Sequence, residues 1–177
     1  MLEAGLHRYL RGQRVDVQAI AAELGLGRAT IYRWLGSREK LLGEVIIRAT
    51  EPVLAEARSG LNGKGGPGLL DTFDRFNRAL ADAPALRAFV EQERDASLRI
   101  IASGAGIVQP RIVELITAMI AEEAEAGTYE PPVEPSVLGF AIVKLAQAFL
   151  FNDAVVGIRG DVDRLRELEA ALLGVPA

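Results

Sequence analysis

The stretch that decides the fold runs from Val17 to Val45 and reads VQAIAAELGLGRATIYRWLGSREKLLGEV. Two short helical patterns of apolar residues lie on either side of its glycine pair, Gly25 and Gly27. Ala21 is small enough for two helices to cross closely, and Gly25 can adopt the left-handed conformation that ends a helix. Ile31 would then anchor the second helix on the first. This spacing predicts a helix-turn-helix.

The outward face of the second helix carries side chains that suit contact with DNA. Arginine can bind guanine edges or phosphates, and methyl groups can contact those of thymine. The candidate residues in this helix are Arg28, Ala29, Thr30, Tyr32, Arg33 and Trp34. Arg33 lies one turn beyond Thr30, so we expect it to reach a guanine edge, with Arg28 and Thr30 on the same exposed face. Trp34 either stacks on the sugar-phosphate backbone or packs on the first helix of the chain.

The same stretch resembles the DNA-binding domain of the TetR family of bacterial repressors. The positions that match the family pattern are Ile20, Ala21, Gly25, Thr30, Ile31, Tyr32, Ser37, Glu39 and Leu41. Three positions depart from it: Gly27, Leu35 and Arg38 stand where the family usually has Ser, Phe and Lys. Gly27 is a weaker helix cap than Ser, whereas Arg38 keeps the charge.

This resemblance implies an all-helical homodimer with a helix-turn-helix DNA-binding domain at 1–48 and a helical ligand-binding and dimerisation domain at 49–177. It implies that Tyr32, Arg38 and Lys40 meet phosphates, with the helix start at Ser37 close to the DNA. It further implies a repressor that a small apolar effector releases from its operator. The C-terminal part resembles the branch that regulates quorum-signal lactone degradation, which suggests a lactone-like effector.

Charge and composition narrow the class of protein. Residues 1–50 hold eight Lys and Arg against five Asp and Glu, whereas residues 51–177 hold twelve against nineteen. A basic N-terminal segment followed by an acidic remainder of the chain is typical of a DNA-binding protein with a separate regulatory domain. Without Cys the chain has no disulfide and no thiolate chemistry. With no signal peptide in view, we expect a cytoplasmic protein.

The sequence offers little support for an enzyme, a metal site or a cofactor. It has one His, and no nucleophile or metal-binding motif. The acidic run Glu122–Glu125 has no second cluster to complete a metal site, so a solvated helix face is expected there. The alternatives left open are a ligand-independent helical DNA-binding protein and a small all-helical enzyme.

The rest of the chain is predicted to be helical. Pro52 should kink the helix that follows Ser37 or start a new segment. The stretch from Ser59 to Gly68, rich in glycine, predicts a mobile loop. The apolar stretch 136–152 is shorter than the roughly 20 residues that span a bilayer and contains Lys144, so a membrane helix is not expected.

Two groups of apolar residues in the predicted ligand-binding and dimerisation domain are candidates for a functional role. A pocket for the effector is predicted to be lined by Phe73, Phe76, Phe89, Leu98, Ile101, Ile116, Met119 and Phe140. Residues 136–152 and 161–173 are predicted to pair with their symmetry mates as a four-helix bundle. The predicted interface residues are Leu145, Phe149, Leu165, Leu168 and Leu172.

Overall fold

The computed structural model describes residues 1–25, 27, 36–59, 63–151 and 161–177. Within these residues every regular element is an α-helix, as the sequence predicts. The helices are α1 (Leu2–Leu10), α2 (Val17–Glu23), α3 (Arg38–Ser59), α4 (Gly65–Asp82), α5 (Pro84–Gln92), α6 (Arg94–Ala102), α7 (Val108–Glu125), α8 (Pro135–Phe151) and α9 (Val162–Leu173). None of these described helices is both long and apolar enough to cross a membrane.

The chain forms two compact units, and each is built from two separate segments. Unit 1 comprises Met1–Pro52 and Ala83–Pro110, and unit 2 comprises Val53–Asp82 and Arg111–Ala177. Of the two outcomes expected at Pro52, a kink or a new segment, the new segment does not form, because α3 continues through the proline to Ser59. A proline inside a helix removes one backbone hydrogen bond, which the remaining bonds of this long helix offset. The functional division at residue 48 stays a prediction.

Within unit 1, α5 packs against α1. The rings of Tyr9 on α1 and Phe89 on α5 lie 6.2 Å apart between centroids, and both side chains are buried. Burial raises the pKa of Tyr9 to about 12. Gly5 lets α1 approach α3 closely, since a Cβ at this position would stand 2.9 Å from Cγ2 of Val45. Residues 83–110 therefore share a core with α1.

Unit 2 has one apolar core to which α4, α7, α8 and α9 all contribute. α9 packs against both α4 and α8. The largest wholly buried side chains in this unit include Phe73, Leu138 and Leu173. Asp161 caps α9 by accepting the N–H of Arg164 at 3.0 Å, as its place before an apolar pattern predicts.

The glycine-rich stretch is helical from Gly65 onward, so the prediction of a mobile loop is wrong for residues 65–68. The N–H of Gly65 donates to the carboxylate of Glu123 at 2.8 Å, and the hydroxyl of Thr128 donates to the same carboxylate at 2.6 Å. A Cβ at Gly66 would stand 2.5 Å from Cγ1 of Val175. The glycines therefore serve close packing, and Glu123 of the acidic run is a structural acceptor rather than only a solvated side chain.

Candidate nucleic-acid interface

The first helix of the helix-turn-helix and its turn are fixed by local chemistry. The carboxylate of Asp16 accepts the N–H of Gln18 at 2.7 Å and that of Ala19 at 3.0 Å. These bonds to the backbone, above all the one from Ala19, lower the pKa of Asp16. Gly25 has a φ of +62°, and its N–H donates to the carbonyl of Ala22. α2 therefore begins and ends where the sequence predicts.

The predicted DNA-reading face lies outside the described residues. This applies to Arg28, Ala29, Thr30, Tyr32, Arg33 and Trp34, and also to the anchor Ile31. Their contacts with bases and phosphates stay predictions. The structure describes the chain on both flanks of this segment, up to Gly25 and again from Gly36.

The flank that follows the segment begins with a capped helix. Oγ of Ser37 accepts the N–H of Lys40 at 3.1 Å, which is the cap that the sequence predicts for α3. Ser37 and Lys40 are both exposed. Lys40 therefore stands in solvent in the first turn of α3, as a phosphate contact requires.

Arg38 makes a contact within the protein that the sequence does not predict, whereas its phosphate contact stays a prediction. Its two terminal nitrogens both donate to the carboxylate of Glu93, Nη1 at 3.0 Å from Oε2 and Nη2 to Oε1. Nε of Arg14 also donates to Oε1 of Glu93, at 3.2 Å. Glu93 is 8% exposed, and the neighbouring Arg38 holds the pKa of its carboxyl below the usual range. Glu93 was not singled out from the sequence, because its arginine partners are 79 and 55 residues away in the chain.

The residues predicted to line an effector pocket fall into both units. Four of them lie together in the core of unit 2: Phe73, Phe76, Ile116 and Met119. Phe140 belongs to unit 2 but is 48% exposed. Phe89 and Ile101 are buried within unit 1, and Leu98 of that unit is 45% exposed. Phe89 borders a cavity of about 10 Å³, room for a single water molecule, next to Tyr9 and Glu93.

The core of unit 2 also contains a polar pair that the sequence analysis missed. Glu169 on α9 is 0% exposed, and Asn77 on α4 is 4% exposed. Nδ2 of Asn77 lies 2.9 Å and 3.1 Å from the two carboxyl oxygens of Glu169. Burial raises the pKa of Glu169 to about 8. Because a glutamate in an amphipathic helix normally faces solvent, only its place beside apolar Leu165 and Leu172 could have drawn attention to it.

The residues predicted for the dimer interface differ in how deeply their side chains are buried within the single chain. Leu165 and Phe149 are buried in the chain itself, at 0% and 4% exposure. Leu168 is 42% exposed, and Leu145 and Leu172 are half-buried. The last three can therefore reach a second copy, whereas the first two already pack inside the fold.

The helical unit 2 and the flanks of a helix-turn-helix in unit 1 are the features expected of a DNA-binding transcriptional regulator, and the likeness to known proteins specifies its family. The family model of the tetracyclin repressor-like C-terminal domain matches residues 64–174. The chain therefore belongs to the TetR family, whose members bind operator DNA and small-molecule effectors and dimerise.

One solved structure in particular agrees with this assignment. The chain is similar to the transcriptional repressor QsdR of the TetR family from R. erythropolis, at 29% identity and a TM-score of 0.89. That match covers 99% of this chain and 93% of the repressor. A weaker likeness is to the TetR family regulator PfmR from Thermus thermophilus, at 20% identity and a TM-score of 0.46, over 92% of this chain and 89% of that one. No curated protein sequence matches the chain.

Proposed function

We propose that the protein is a homodimeric repressor that binds operator DNA through residues 28–40 and leaves it when an apolar, lactone-like effector binds unit 2. The observation that carries the repressor role is the likeness to QsdR, which extends over 99% of the chain at a TM-score of 0.89. The motif at Val17–Val45 supplies the DNA-reading side chains that such a role needs.

The DNA contacts divide into base-reading and phosphate-binding groups. Arg28, Thr30 and Arg33 read base edges, and Tyr32 and Lys40 bind phosphates. Lys40 is exposed in the first turn of α3, which suits an electrostatic contact. The cap at Ser37 orients the start of this helix, whose backbone dipole favours a phosphate nearby.

The homodimer is proposed to form through α8 and α9. These two helices pack on each other, and each leaves large apolar side chains exposed: Val137 and Phe140 on α8, and Leu168 on α9. Exposed apolar side chains of this size favour contact with another protein surface. A second copy presents the same side chains, so a two-fold interface between α8 and α9 covers them on both subunits.

The effector is proposed to bind among the aromatic and aliphatic side chains of unit 2. Phe73, Phe76 and Met119 supply an apolar surface, and Asn77, on the same helix as the two phenylalanines, supplies an amide that donates to Glu169 here and would donate to the effector in its place. An apolar lining with few polar groups is typical of small-molecule sites. A lactone offers the matching chemistry, an apolar body with one ester carbonyl that accepts a hydrogen bond.

Two measurements in sequence test this function. DNA duplexes are first selected from a random library by the wild-type protein, and the affinity for the selected duplex is compared with that for a scrambled one. Long-chain lactones and matched fatty acids are then tested for thermal stabilisation of the protein and for release of the selected duplex. A compound that does both supports the proposal, and differential binding of about tenfold corresponds to roughly 1.4 kcal/mol of coupling. If the selected duplex binds but no lactone stabilises the protein or releases the DNA, the proposed effector class is wrong.

A further inference from the structure

The helices α5 and α6 hold both ends of the helix-turn-helix in unit 1. Before α2, Nε2 of Gln92 donates to the carbonyl of Gly12 at 2.7 Å, and Arg14 donates to Glu93. After the recognition segment, Arg38 binds Glu93 and the neighbouring Glu39 accepts from Arg99 at 2.7 Å. Glu93 is the only one of these side chains that contacts both flanks among the described residues.

The pair between Arg38 and Glu93 has the geometry of a strong, directional contact. Two parallel bonds between a guanidinium and a carboxylate fix relative orientation as well as distance. Glu93 is buried, so its charge is well compensated only while the arginines are in place. The pair between Arg99 and Glu39 is exposed on both sides, and exposed pairs contribute little. The positioning therefore depends mainly on Glu93.

We infer that Glu93 is a positioning residue for operator binding, which acts through Arg38 to hold the start of α3 and thereby the recognition segment next to it. Arg38 then serves as a brace inside the protein, rather than as the phosphate contact that its place after Ser37 suggests. Glu93 lies in the part of the chain that the family's C-terminal model matches, which starts at residue 64, whereas Arg38 lies in the DNA-binding segment. The contact therefore connects these two segments. The inference rests on the operator binding proposed above.

Two single variants and their combination test this role. Glu93→Gln keeps the size of the side chain but replaces one accepting oxygen by a donor, so the paired bonds to Arg38 are lost. Arg38→Gln removes the positive charge together with the paired bonds. Each variant should lower the affinity for the duplex selected by the wild type by about tenfold. Because no phosphate contact is removed, the dependence of affinity on salt should keep the wild-type slope.

The double variant distinguishes action through Arg38 from an independent effect. If both residues act as one unit, the double variant should bind within about twofold of either single variant. Hydrogen exchange should rise in residues 12–25 and 36–42 of Glu93→Gln and stay unchanged in residues 111–151. Glu91→Gln is the matched control, since Glu91 is an exposed carboxylate two residues before Glu93, in the last turn of α5, and this variant should bind as the wild type does.

The possible results separate this inference from the proposed function. Wild-type affinity in folded Glu93→Gln, a reduced salt slope in Arg38→Gln, or additive losses in the double variant would each overturn the inference and leave operator binding standing. A wild-type protein that selects no duplex would overturn both. If Glu93→Gln does not fold, Glu93→Asp decides on the same criteria, because it keeps the charge but shortens the reach by one methylene.

Discussion

Replacing Glu169 with glutamine should remove a fall in stability that the wild-type chain undergoes as the pH rises. Glu169 is wholly buried, and burial is the main reason that its pKa is raised to about 8. Asp74 raises the pKa further, whereas the hydrogen bond from Asn77 and the charge of Arg166 lower it without offsetting the burial. In the folded chain the side chain is therefore a neutral carboxylic acid over most of the physiological range.

The sign and size of the effect follow from the two pKa values. The unfolded chain loses the Glu169 proton near the ordinary value of 4.5, whereas the folded chain keeps it up to about pH 8. Between these values the folded state binds one more proton, so the free energy of unfolding falls by about 1.4 kcal/mol per pH unit. Over the whole window the loss amounts to at most about 5 kcal/mol, which is a large part of the total stability of a typical domain.

Glutamine at this position is neutral at every pH and can still accept the amide of Asn77. The Glu169→Gln variant should therefore match the wild type at about pH 5 and exceed its stability at about pH 9. Urea unfolding followed by circular dichroism, at one fixed protein concentration, gives the difference curve directly. Groups that titrate in both proteins cancel from this difference. The control is Glu167→Gln, which changes an exposed carboxylate two residues away on α9.

The reasoning fails if the unfolding free energies of wild type and Glu169→Gln stay parallel from about pH 5 to about pH 9. Parallel curves would mean that Glu169 has the same pKa in both states, and hence that water or a cation reaches the buried carboxyl. A Glu167→Gln curve with the same shape as that of Glu169→Gln would equally exclude burial as the cause.

Three further predictions address the dimer, the packing of α4 and the DNA contacts. Leu168→Glu should convert the dimer to monomers in sedimentation experiments, and a wild type that is already monomeric at micromolar concentration would contradict this. Gly65→Ala should lower the unfolding free energy by about 2 kcal/mol or more, because its φ is +67° and a Cβ would meet the carbonyl of Thr128; unchanged urea midpoints would disprove it. Arg33→Ala should reduce the favourable free energy of DNA binding by about 1–3 kcal/mol and relax the base preference. Lys40→Ala should weaken binding to all DNA sequences alike and lower the slope of log affinity against log salt concentration by about one. Anisotropy titrations that show the reverse would refute this division of the contacts.

The sequence predicts best those features whose cause lies within a few residues. Asp16, Ser37 and Asp161 cap the helices that they precede because a short acceptor side chain bonds an N–H two or three residues on. Gly25 ends α2 because the left-handed backbone it adopts is a local property. The all-helical class and the family followed from the same local patterns.

Features whose cause lies far along the chain were missed or predicted wrongly. Gly65 lies in a helix because Glu123, 58 residues later, accepts its N–H, and composition alone indicates flexibility. The pairing of Arg38 with Glu93, 55 residues away, was missed, because the position of Arg38 after Ser37 does not indicate it. From the sequence alone Glu169 would be assigned to the surface, whereas the structure buries it beside Asn77.

The discontinuity of unit 1 restricts how this protein can be cut or recombined. A fragment that ends near Pro52 retains the whole helix-turn-helix but leaves Tyr9 without the ring of Phe89 and Arg38 without the carboxylate of Glu93. A chimera that transplants this DNA specificity onto another regulator therefore has to carry residues 83–110 along with residues 1–52. Its junctions belong at Pro52, at Asp82 and at Pro110, where the chain passes from one unit to the other.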